Sequence, residues 1–386
     1  MTHQNNSPFN SDMQASTDTS DIDITDIDTA HTFYMQRAIA LAKQGLYSTR
    51  PNPSVGCVLV NNQQIVGEGY TAPYGGSHAE VYALRQAGAQ ARGATAYVTL
   101  EPCAHYGRTP PCANALVNAG VSRVVMASLD PNPLVAGKGQ SILQAAGIDT
   151  VVGVLEQQAR ALNKGFLQVM AGGRPYVRLK MATSLDGRTA MASGESKWIT
   201  SAEARLDVQH WRALSGAVIT GINTVLADDP ALTVRQLPDD YSGENHPIEK
   251  VAQPLRVVLD RQSRFPVQAQ LLNQPEKLLL VGTQPDIAKS VEHWPDMPLP
   301  HLLNELKIRK QIYDVLVEAG PTLAAEFLRQ GLVDELIIYL APTLLGSNAR
   351  PMFNLSLSQM SEQYRLQLCE MQQVGVDIRL ILKPVR

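Results

Sequence analysis

Two successive runs in which apolar strands alternate with amphipathic helices constrain this chain more than any other feature of its sequence. In the first run, VGCVLV (residues 55–60) and IVGEGY (65–70) predict a hairpin around Asn61-Asn62, and helical and extended patterns alternate downstream of it. A second alternation begins at PYVRLKMA (175–182). Such alternation is typical of largely parallel sheets that helices cover on both faces. The sequence therefore predicts an α/β fold with two domains in tandem.

Glycine, proline and polar residues mark where these domains begin and end. Gly172-Gly173-Arg174-Pro175 is the strongest break between the two alternations. Residues 1–30 contain six aspartates and no lysine or arginine, and their apolar surface is too small to offset the entropy of ordering. We therefore expect a disordered acidic tail over residues 1–30, a first domain over 31–172 and a second over 173–386. An alternative for the tail is a segment that binds a partner.

The composition argues against several classes of protein. The 386-residue chain has 36 acidic and 33 basic residues, a net charge of −3, which disfavours a protein that coats nucleic acid or an anionic membrane. Its longest apolar run, 336–345, is shorter than the about 20 residues of a membrane-spanning helix, and no basic and apolar signal peptide opens the sequence. Four cysteines are too few for a disulfide framework. We expect a cytoplasmic homo-oligomer that binds neither nucleic acid nor membrane.

Three short motifs in the first alternation predict a zinc site. His78-Ala79-Glu80 precedes a helical run, Pro102-Cys103 follows a strand pattern, and Pro111-Cys112 opens the next helix. Three nitrogen or sulfur ligands with one open position are typical of catalytic zinc, which lowers the pKa of a bound water to about 7. We expect the helix N-terminus to favour a thiolate at Cys112, and Glu80 to carry protons beside the metal. This pattern, H-x-E followed by two Pro-Cys ligands, is typical of zinc nucleobase deaminases.

The spacing of the two cysteines narrows this prediction to one family. Eight residues, AHYGRTPP, separate Cys103 from Cys112, where the common deaminase pattern has two. HAE…EPCAHYGRTPPC, together with PNPSVGCVLV and GEGYTAPYGGSHAE, resembles the bifunctional deaminase/reductase family of riboflavin biosynthesis, from residue 31 to the C-terminus. The resemblance implies zinc ligands at His78, Cys103 and Cys112 and a proton carrier at Glu80. It also implies substrate contacts at Asn52 and Arg108, whereas Thr71 stands where the family often has histidine.

The second alternation gives a weaker signal from its residues alone. The strand pattern 313–318 runs into Ala319-Gly320-Pro321-Thr322 and a helix. Backbone N–H groups at such a helix start could bind a phosphate, although a plain helix cap by Thr322 is the simpler alternative. A GxGxxG fingerprint is absent, so the sequence does not predict an ordinary Rossmann domain.

The same family resemblance extends through this second half. LKMATSLDGRTA, SKWITS, GINTVLADDP and VEAGPTLAAEFL are similar to its reductase half. The resemblance implies a cytidine-deaminase-like α/β/α domain followed by a dihydrofolate-reductase-like α/β domain that uses NADPH. The implied NADPH contacts are Ala182, Trp198, Thr224, Asp228, Arg261, Gly320, Pro321, Thr322, Leu323, Ala324, Ala325 and Glu326. The implied substrate contacts are Ser196, Arg212, Leu232, Arg235 and Glu318.

The chemistry of three of these side chains fits the implied roles. Arg212 and Arg235 suit a phosphate monoester through charge-assisted hydrogen bonds, and Trp198 offers a flat face for a nicotinamide ring. Surface arginines and a core tryptophan are the alternatives. Asp228-Asp229-Pro230 could equally be a turn that ends a helix, and Arg261 is the candidate for binding the 2′-phosphate.

The resemblance implies two consecutive reactions on one phosphoribosylated pyrimidine. The first domain would deaminate 2,5-diamino-6-(5-phosphoribosylamino)pyrimidin-4-one, and the second would reduce the ribose with NADPH to a ribitylamino chain. Asp228 and Glu318 are candidates for the proton donor of the second step. Two alternatives are a nucleoside or tRNA-base deaminase with a C-terminal binding module, and a regulatory protein whose second domain binds NADP without turnover.

Overall fold

The structure is a computed structural model that describes residues 27–105, 110–133, 136–238, 247–274, 277–283 and 291–385. Its first helix begins at Ile27, so residues 27–30, which the sequence placed in the tail, are helical. The rest of the predicted tail, residues 1–26, lies outside the described residues. Among the helices of these segments, none combines the length and apolar character that crossing a membrane requires.

The first half of the chain forms one five-stranded sheet between helices. Its helices are α1 (Ile27–Lys43), α2 (Ala79–Ala87), α3 (Cys112–Ala119), α4 (Lys138–Ala145), α5 (Glu156–Ala161) and α6 (Lys164–Met170). Its strands are β1 (Gly56–Asn61), β2 (Gln64–Tyr70), β3 (Thr95–Val98), β4 (Arg123–Met126) and β5 (Asp149–Val152), in the order β2-β1-β3-β4-β5. The predicted hairpin of β1 and β2 is confirmed, and β3, β4 and β5 are parallel as expected, but β1 also runs antiparallel to β3, which was not predicted. Strand direction is not encoded in the apolar pattern that gave the prediction.

Alternate residues of β1 face the two helical layers. Cys57 and Leu59 pack in the cluster that includes α2 and α3, whereas Val58 and Val60 pack against α1. This is the two-residue period of a strand buried on both faces. Glycines allow the closest approaches, because a Cβ on Gly69 would lie 2.3 Å from the carbonyl oxygen of Ala79. The helix that follows His78 and carries Glu80 can therefore lie directly against β2.

The second half forms a nine-stranded sheet with helices on both faces. Its helices are α7 (Ala202–Leu214), α8 (Ile222–Asp228), α9 (Leu299–Lys310) and α10 (Pro321–Arg329). Its strands are β6 (Tyr176–Ser184), β7 (Arg188–Ala190), β8 (Ala217–Gly221), β9 (Leu255–Asp260), β10 (Leu278–Gly282), β11 (Glu292–Trp294), β12 (Asp314–Glu318), β13 (Glu335–Ala341), β14 (Arg350–Pro351), β15 (Leu366–Val374) and β16 (Asp377–Pro384). The large sheet has the order β11-β10-β9-β8-β12-β6-β13-β16-β15, and β7 pairs with β14 separately.

Strand direction in the large sheet determines where its candidate site residues meet. The strands from β11 to β13 are parallel, and only β16 and β15 are antiparallel additions at one edge. The carboxyl ends of β6, β8 and β12 therefore lie at one edge, which is where ligands bind in open α/β sheets. The β15–β16 hairpin was not predicted from the sequence.

Candidate active sites

The three predicted zinc ligands converge in the structure. His78 precedes α2, Cys103 follows β3, and Cys112 is the first residue of α3. Their ligand atoms all lie within 4.8 Å of one another, with His78 Nδ1 3.3 Å from the Sγ of Cys112 and 3.6 Å from that of Cys103. Zinc bonds of about 2.1 Å to nitrogen and 2.3 Å to sulfur, at a tetrahedral angle, place those atoms about 3.6 Å apart. The donor set and its spacing therefore fit zinc.

The two thiols differ in acidity. The pKa of Cys103 is lowered to about 4, chiefly by the hydrogen bond from Cys112 and further by His78 and the backbone N–H of Cys112. That N–H lies 3.3 Å from Cys103 Sγ. The pKa of Cys112 is raised, because its thiol donates to Cys103 and is buried. The expected thiolate at Cys112 concerns the zinc-bound site, where both cysteines bind as thiolates, and it stays a prediction.

Glu80 lies beside the triad with its carboxyl group buried. It is the second residue of α2, and only 3% of its surface is exposed. Burial, followed by the negative charge of Cys103, raises the pKa of Glu80 to about 6. A carboxyl group that titrates near neutral pH can accept and return protons under working conditions.

The structure describes two of the three other residues considered for the first site, Thr71 and Asn52. Thr71 is buried, and its hydroxyl accepts the backbone N–H of Val55 at 3.0 Å, which ties the end of β2 to the start of β1. Asn52 is partly buried in the loop before β1 and lines a cavity of about 220 Å³ between the two halves of the chain. Arg108 lies outside the described residues.

Sequence reasoning missed Glu101, which directly precedes the Pro102-Cys103 motif. Its buried carboxylate accepts backbone N–H groups from Asp130 at 3.0 Å and from Gly137 and Gln140 at 3.1 Å each. Three such bonds fix the segment after β4 against the strand end that carries Cys103. A glutamate in an otherwise apolar strand pattern was the available signal, because a carboxylate is buried only when paired.

The second candidate site centres on an internal ion pair. Arg212 on α7 donates from Nε and Nη2 to the two carboxylate oxygens of Glu318 at 2.6 and 2.9 Å, and from Nη1 to the carbonyl of Thr233 at 3.2 Å. Both side chains are only 11% exposed. Burial alone would raise the pKa of Glu318, but Arg212, Lys180 and Arg235 outweigh burial and lower it. Arg212 is therefore already neutralised by Glu318, and Arg235 is the better placed cation for a phosphate.

Arg235 differs from Arg212 in exposure and pairing. Its side chain is exposed, and it forms no salt bridge with any residue in the described segments. Burial, followed by the nearby Arg212, lowers the pKa of Arg235. Glu318 raises it by less, so the pKa is lowered overall. Leu232, another predicted substrate contact, is buried just before it and has a φ of 53°.

Lys180 was also missed by the sequence analysis. It lies on β6, two residues before Ala182, and its Nζ is 5.8 Å from the ring centre of Tyr339. The pKa of Lys180 is lowered, chiefly by burial and also by Arg212, while the nearby Glu318 acts in the opposite direction. Lysine inside the strand pattern YVRLKMA was the signal, because lysine is rarely buried without a partner.

A polar contact joins two predicted segments at the mouth of this site. Ser196 Oγ lies 3.1 Å from Asp228 Oδ1, and Lys197 Nζ lies 3.0 Å from the carbonyl oxygen of Asp228. Asp228 is the last residue of α8, so its segment is also the helix-ending turn that the sequence left as an alternative.

Trp198 is not part of the hydrophobic core. It is 69% exposed, and the guanidinium carbon of Arg205 lies 4.2 Å from its ring centre, which excludes the alternative that Trp198 fills the core.

The glycine-bearing turn after β12 adjoins α8. Gly320 is the residue before α10, and a Cβ placed on it would lie 4.0 Å from Thr224 Oγ1. The Thr322 hydroxyl accepts from Asn354 Nδ2 at 2.8 Å and does not cap the helix. The remaining predicted residues of this turn are the first residues of α10: Pro321, Leu323, Ala324, Ala325 and Glu326. Arg261 directly follows β9 and is exposed, paired with Asp296 at 3.0 Å.

Comparison with known families agrees with this arrangement of two sites. Residues 28–128 match the cytidine and deoxycytidylate deaminase zinc-binding region. Residues 175–380 match the RibD C-terminal domain. The family matches therefore divide the chain into the same two kinds of domain as the sheets.

Full-length relatives show the same pairing of domains. The riboflavin biosynthesis protein RibD of Escherichia coli is 50% identical over 361 residues, which cover 91% of this chain and 98% of that protein. A structure of Acinetobacter baumannii RibD has a TM-score of 0.88 at 57% identity and covers 93% of this chain and 100% of that one. The Thermotoga maritima diaminohydroxyphosphoribosylaminopyrimidine deaminase/5-amino-6-(5-phosphoribosylamino)uracil reductase gives 0.84 at 32% identity, with 93% and 99% covered. The chain therefore belongs to the RibD family of riboflavin biosynthesis enzymes, which combine a deaminase and a reductase.

Proposed function

We propose that this enzyme deaminates 2,5-diamino-6-(5-phosphoribosylamino)pyrimidin-4-one with residues 31–172 and reduces the product's ribose with NADPH in residues 173–386. The observation that carries the proposal is the convergence of His78, Cys103 and Cys112 beside the buried Glu80. The boundary is supported by the sheets, because α6 ends at Met170 and β6, in the other sheet, begins at Tyr176.

In the deaminase half, His78, Cys103 and Cys112 would hold zinc, which supplies an activated water at neutral pH. Glu80, whose pKa is about 6, would take a proton from the attacking water and give it to a ring nitrogen. It would then take the proton of the hydroxyl group formed on the attacked carbon and give it to the departing amine, so that each proton given has first been taken up. Asn52 orients the pyrimidine, and Arg108 contributes a positive charge for the phosphate. The products are the 5-amino-6-(5-phosphoribosylamino)uracil and ammonia.

In the reductase half, the C-terminal edge of the sheet would bind NADPH, which supplies the hydride for the opened ribose. The contacts proposed for NADPH are Ala182, Trp198, Thr224, Asp228, Arg261 and the turn 320–326. Arg235 binds the substrate phosphate, with Ser196 and Leu232 beside it. Lys180 is the proposed proton donor, because its ammonium is held at this edge beside Glu318, whose lowered pKa leaves Glu318 itself ionised and without a proton to donate.

We propose that the protein forms a homo-oligomer through the exposed edge strand of its second sheet. Among the described strands, β15 lies at the edge of the sheet and pairs with β16 alone, and Leu368 and Met371 on it are 53% and 67% exposed. An exposed apolar edge strand is a template for pairing with another chain. We propose that β15 of two copies pair. Met371→Lys should shift the protein towards monomer in size-exclusion chromatography with light scattering, and an unchanged mass would contradict the pairing.

We propose a cytoplasmic location, because the zinc site requires both of its cysteines as reduced thiols. The four cysteines of the chain are free, including Cys103 and Cys112. Reduced thiols persist in a glutathione-buffered compartment and are lost to disulfides in oxidising ones.

Three measurements on the purified enzyme test the proposed function. Metal analysis should find one zinc per chain, the free aminopyrimidine should release ammonia, and the deaminated product should then oxidise NADPH. Ammonia release from a tRNA with none from the free substrate would instead favour a tRNA-base deaminase. Binding of NADP without NADPH oxidation would favour a regulatory second domain.

A further inference from the structure

The loop that carries Asn52 is attached to the reductase half of the chain. This loop, residues 47–54, connects α1 with β1 and has no helix or strand of its own. The hydroxyl of Tyr47 lies 2.7 Å from His210 Nδ1 on α7, and its carbonyl accepts the backbone N–H of Ala252 at 2.9 Å. Two contacts from one end of the loop thus cross between the domains.

Arg50 makes the largest set of contacts between the loop and the reductase domain. Its Nη1 donates to the carbonyls of Ala213 and Ser215 at 2.6 Å each, and its Nη2 donates to the carbonyl of Ala252 at 2.6 Å. Burial lowers the pKa of Arg50 to about 10, so the guanidinium is still charged at neutral pH. The carbonyl groups at a helix C-terminus attract a cation, and a partly buried cation that left them would lose its partners.

The end of α7 is held by contacts within the reductase domain. Tyr47, Ala213, Val234, Leu237 and Val251 form a buried apolar cluster shared by the two domains. Arg212, adjacent to Ala213, is fixed by its bonds to Glu318 in the reductase site. The helix end is therefore held from inside its own domain, and the loop adopts the position that this surface allows.

Within the deaminase domain, the loop is held mainly at its other end. Asn163 Oδ1 accepts the N–H of Ser54 at 2.8 Å, and Asn163 Nδ2 donates to the carbonyl of Ser54 at 2.8 Å. Asn52 lies between the Arg50 and Ser54 anchors, and its backbone N–H donates to Thr49 at 3.0 Å within the loop. The position of the Asn52 amide thus depends on one anchor from each domain.

We infer that Arg50 is a positioning residue for deamination, which holds the 47–54 loop against the C-terminal end of α7 so that Asn52 can orient the pyrimidine. The inference rests on the proposed function, from which the role of Asn52 comes. It makes efficient deamination depend on the docked reductase domain, although the hydrogen bonds of the zinc triad among the described residues all lie within the deaminase domain. A displacement of about 1 Å in an orienting group can lower a rate by about 10²-fold.

Substitution of Arg50 in the full-length, zinc-loaded enzyme tests this. Arg50→Met should lower kcat/KM for deamination by about 10- to 100-fold, because the loop loses its anchor on α7. Zinc content and the reduction of separately supplied deaminated substrate should be unchanged. Arg50→Lys should recover part of the activity, since an ammonium can still donate to the α7 carbonyls, and Tyr47→Phe should cause a smaller loss in the same direction.

Lys164→Met is the matched control. It removes another ion pair between the domains, Lys164 Nζ to Glu335 Oε1 at 2.5 Å, without touching the loop contacts of Arg50. Its deamination should equal that of the wild type, and an equal loss in both variants would mean that docking in general matters, which overturns the inference. Wild-type kcat/KM in Arg50→Met, or zinc loss from it, would also overturn the inference. If Arg50→Met does not fold, wild-type rates of deamination in both Arg50→Lys and Tyr47→Phe would overturn the inference. A wild-type enzyme that releases no ammonia would contradict the proposed function and not the role of Arg50.

Discussion

The two candidate sites of this enzyme differ in how their charges are balanced. In the deaminase site, His78, Cys103 and Cys112 converge with no lysine or arginine bonded to them among the described residues, so a metal cation is the group that matches the two sulfurs. In the reductase site, Arg212 and Glu318 neutralise each other inside the protein. The charge of the first site is therefore balanced by a bound metal. The charge of the second site is largely balanced by an internal ion pair, and only part of it is exposed to ligands.

This difference predicts which substitutions remove chemistry and which remove stability. A side chain of the deaminase site should be replaceable without unfolding the domain, because its partners are the metal and the substrate. Replacing a member of the buried ion pair in the reductase site should instead reduce stability, because its partner would be left charged and buried. The four tests below apply this comparison in order of decreasing effect.

Glu80→Gln should give the largest effect. The amide keeps the size of the side chain but cannot carry a proton, so deamination should fall by about 10²- to 10⁴-fold. Zinc content should stay at the wild-type value, and NADPH oxidation with deaminated substrate should persist, which serves as the internal control. Ammonia release at the wild-type rate would exclude Glu80 as the proton carrier, and loss of zinc would mean that it supports the metal site instead.

Arg212→Met should mainly reduce stability. Removing one partner of a buried pair leaves Glu318 charged and costs about 3–5 kcal/mol of unfolding free energy, measurable by urea denaturation. The matched control is Arg37→Met, which breaks the more exposed pair with Glu68 (side chains 44% and 22% exposed) and should cost about 0–1 kcal/mol. Equal costs in the two variants would contradict the contrast between the sites.

Arg235→Ala should impair the reductase and spare the deaminase. Loss of a charge-assisted contact to the phosphate should raise KM for the deaminated substrate by about 10- to 100-fold, corresponding to the 1.5–3 kcal/mol of such bonds. Urea denaturation should give the wild-type unfolding free energy, since Arg235 is exposed. Simultaneous loss of both activities would indicate a folding defect, and an unchanged KM would remove Arg235 from the phosphate site.

The contrast between the sites also explains what the sequence could predict. The zinc triad was predictable because each ligand lies in a short motif at the end of a strand or the start of a helix, where local pattern determines position. The pair of Arg212 and Glu318 was not, because 106 residues separate them and only the packing of α7 on β12 brings them together. From the sequence, Arg212 was therefore interpreted as a phosphate ligand, whereas in the structure it is already paired with the carboxylate of Glu318.

The fold shows the same division between local and distant information. Buried strands such as β1 and β12 were predicted because their apolar runs are continuous. The antiparallel pairing of β1 with β3 was not predicted, since a strand pattern reads the same in either orientation. β15 was missed because the whole strand lies at a sheet edge with nearly every residue exposed, so burial imposes no pattern on it.

The pH dependence of stability gives the smallest of the four effects and tests the ion pair without removing it. Arg212 and Lys180 outweigh burial and lower the pKa of Glu318 in the folded protein. A lowered folded pKa stabilises the protein above the unfolded pKa of about 4.3, and this contribution is lost as pH falls through the folded value, at about 1.4 kcal/mol per unit of difference. The unfolding free energy in urea should therefore decrease more steeply from pH 5 to pH 3 in the wild type than in Glu318→Gln. Parallel pH profiles would mean that Glu318 gains nothing from its cations, and the reductase site would then resemble the deaminase site in leaving its charge for a ligand to balance.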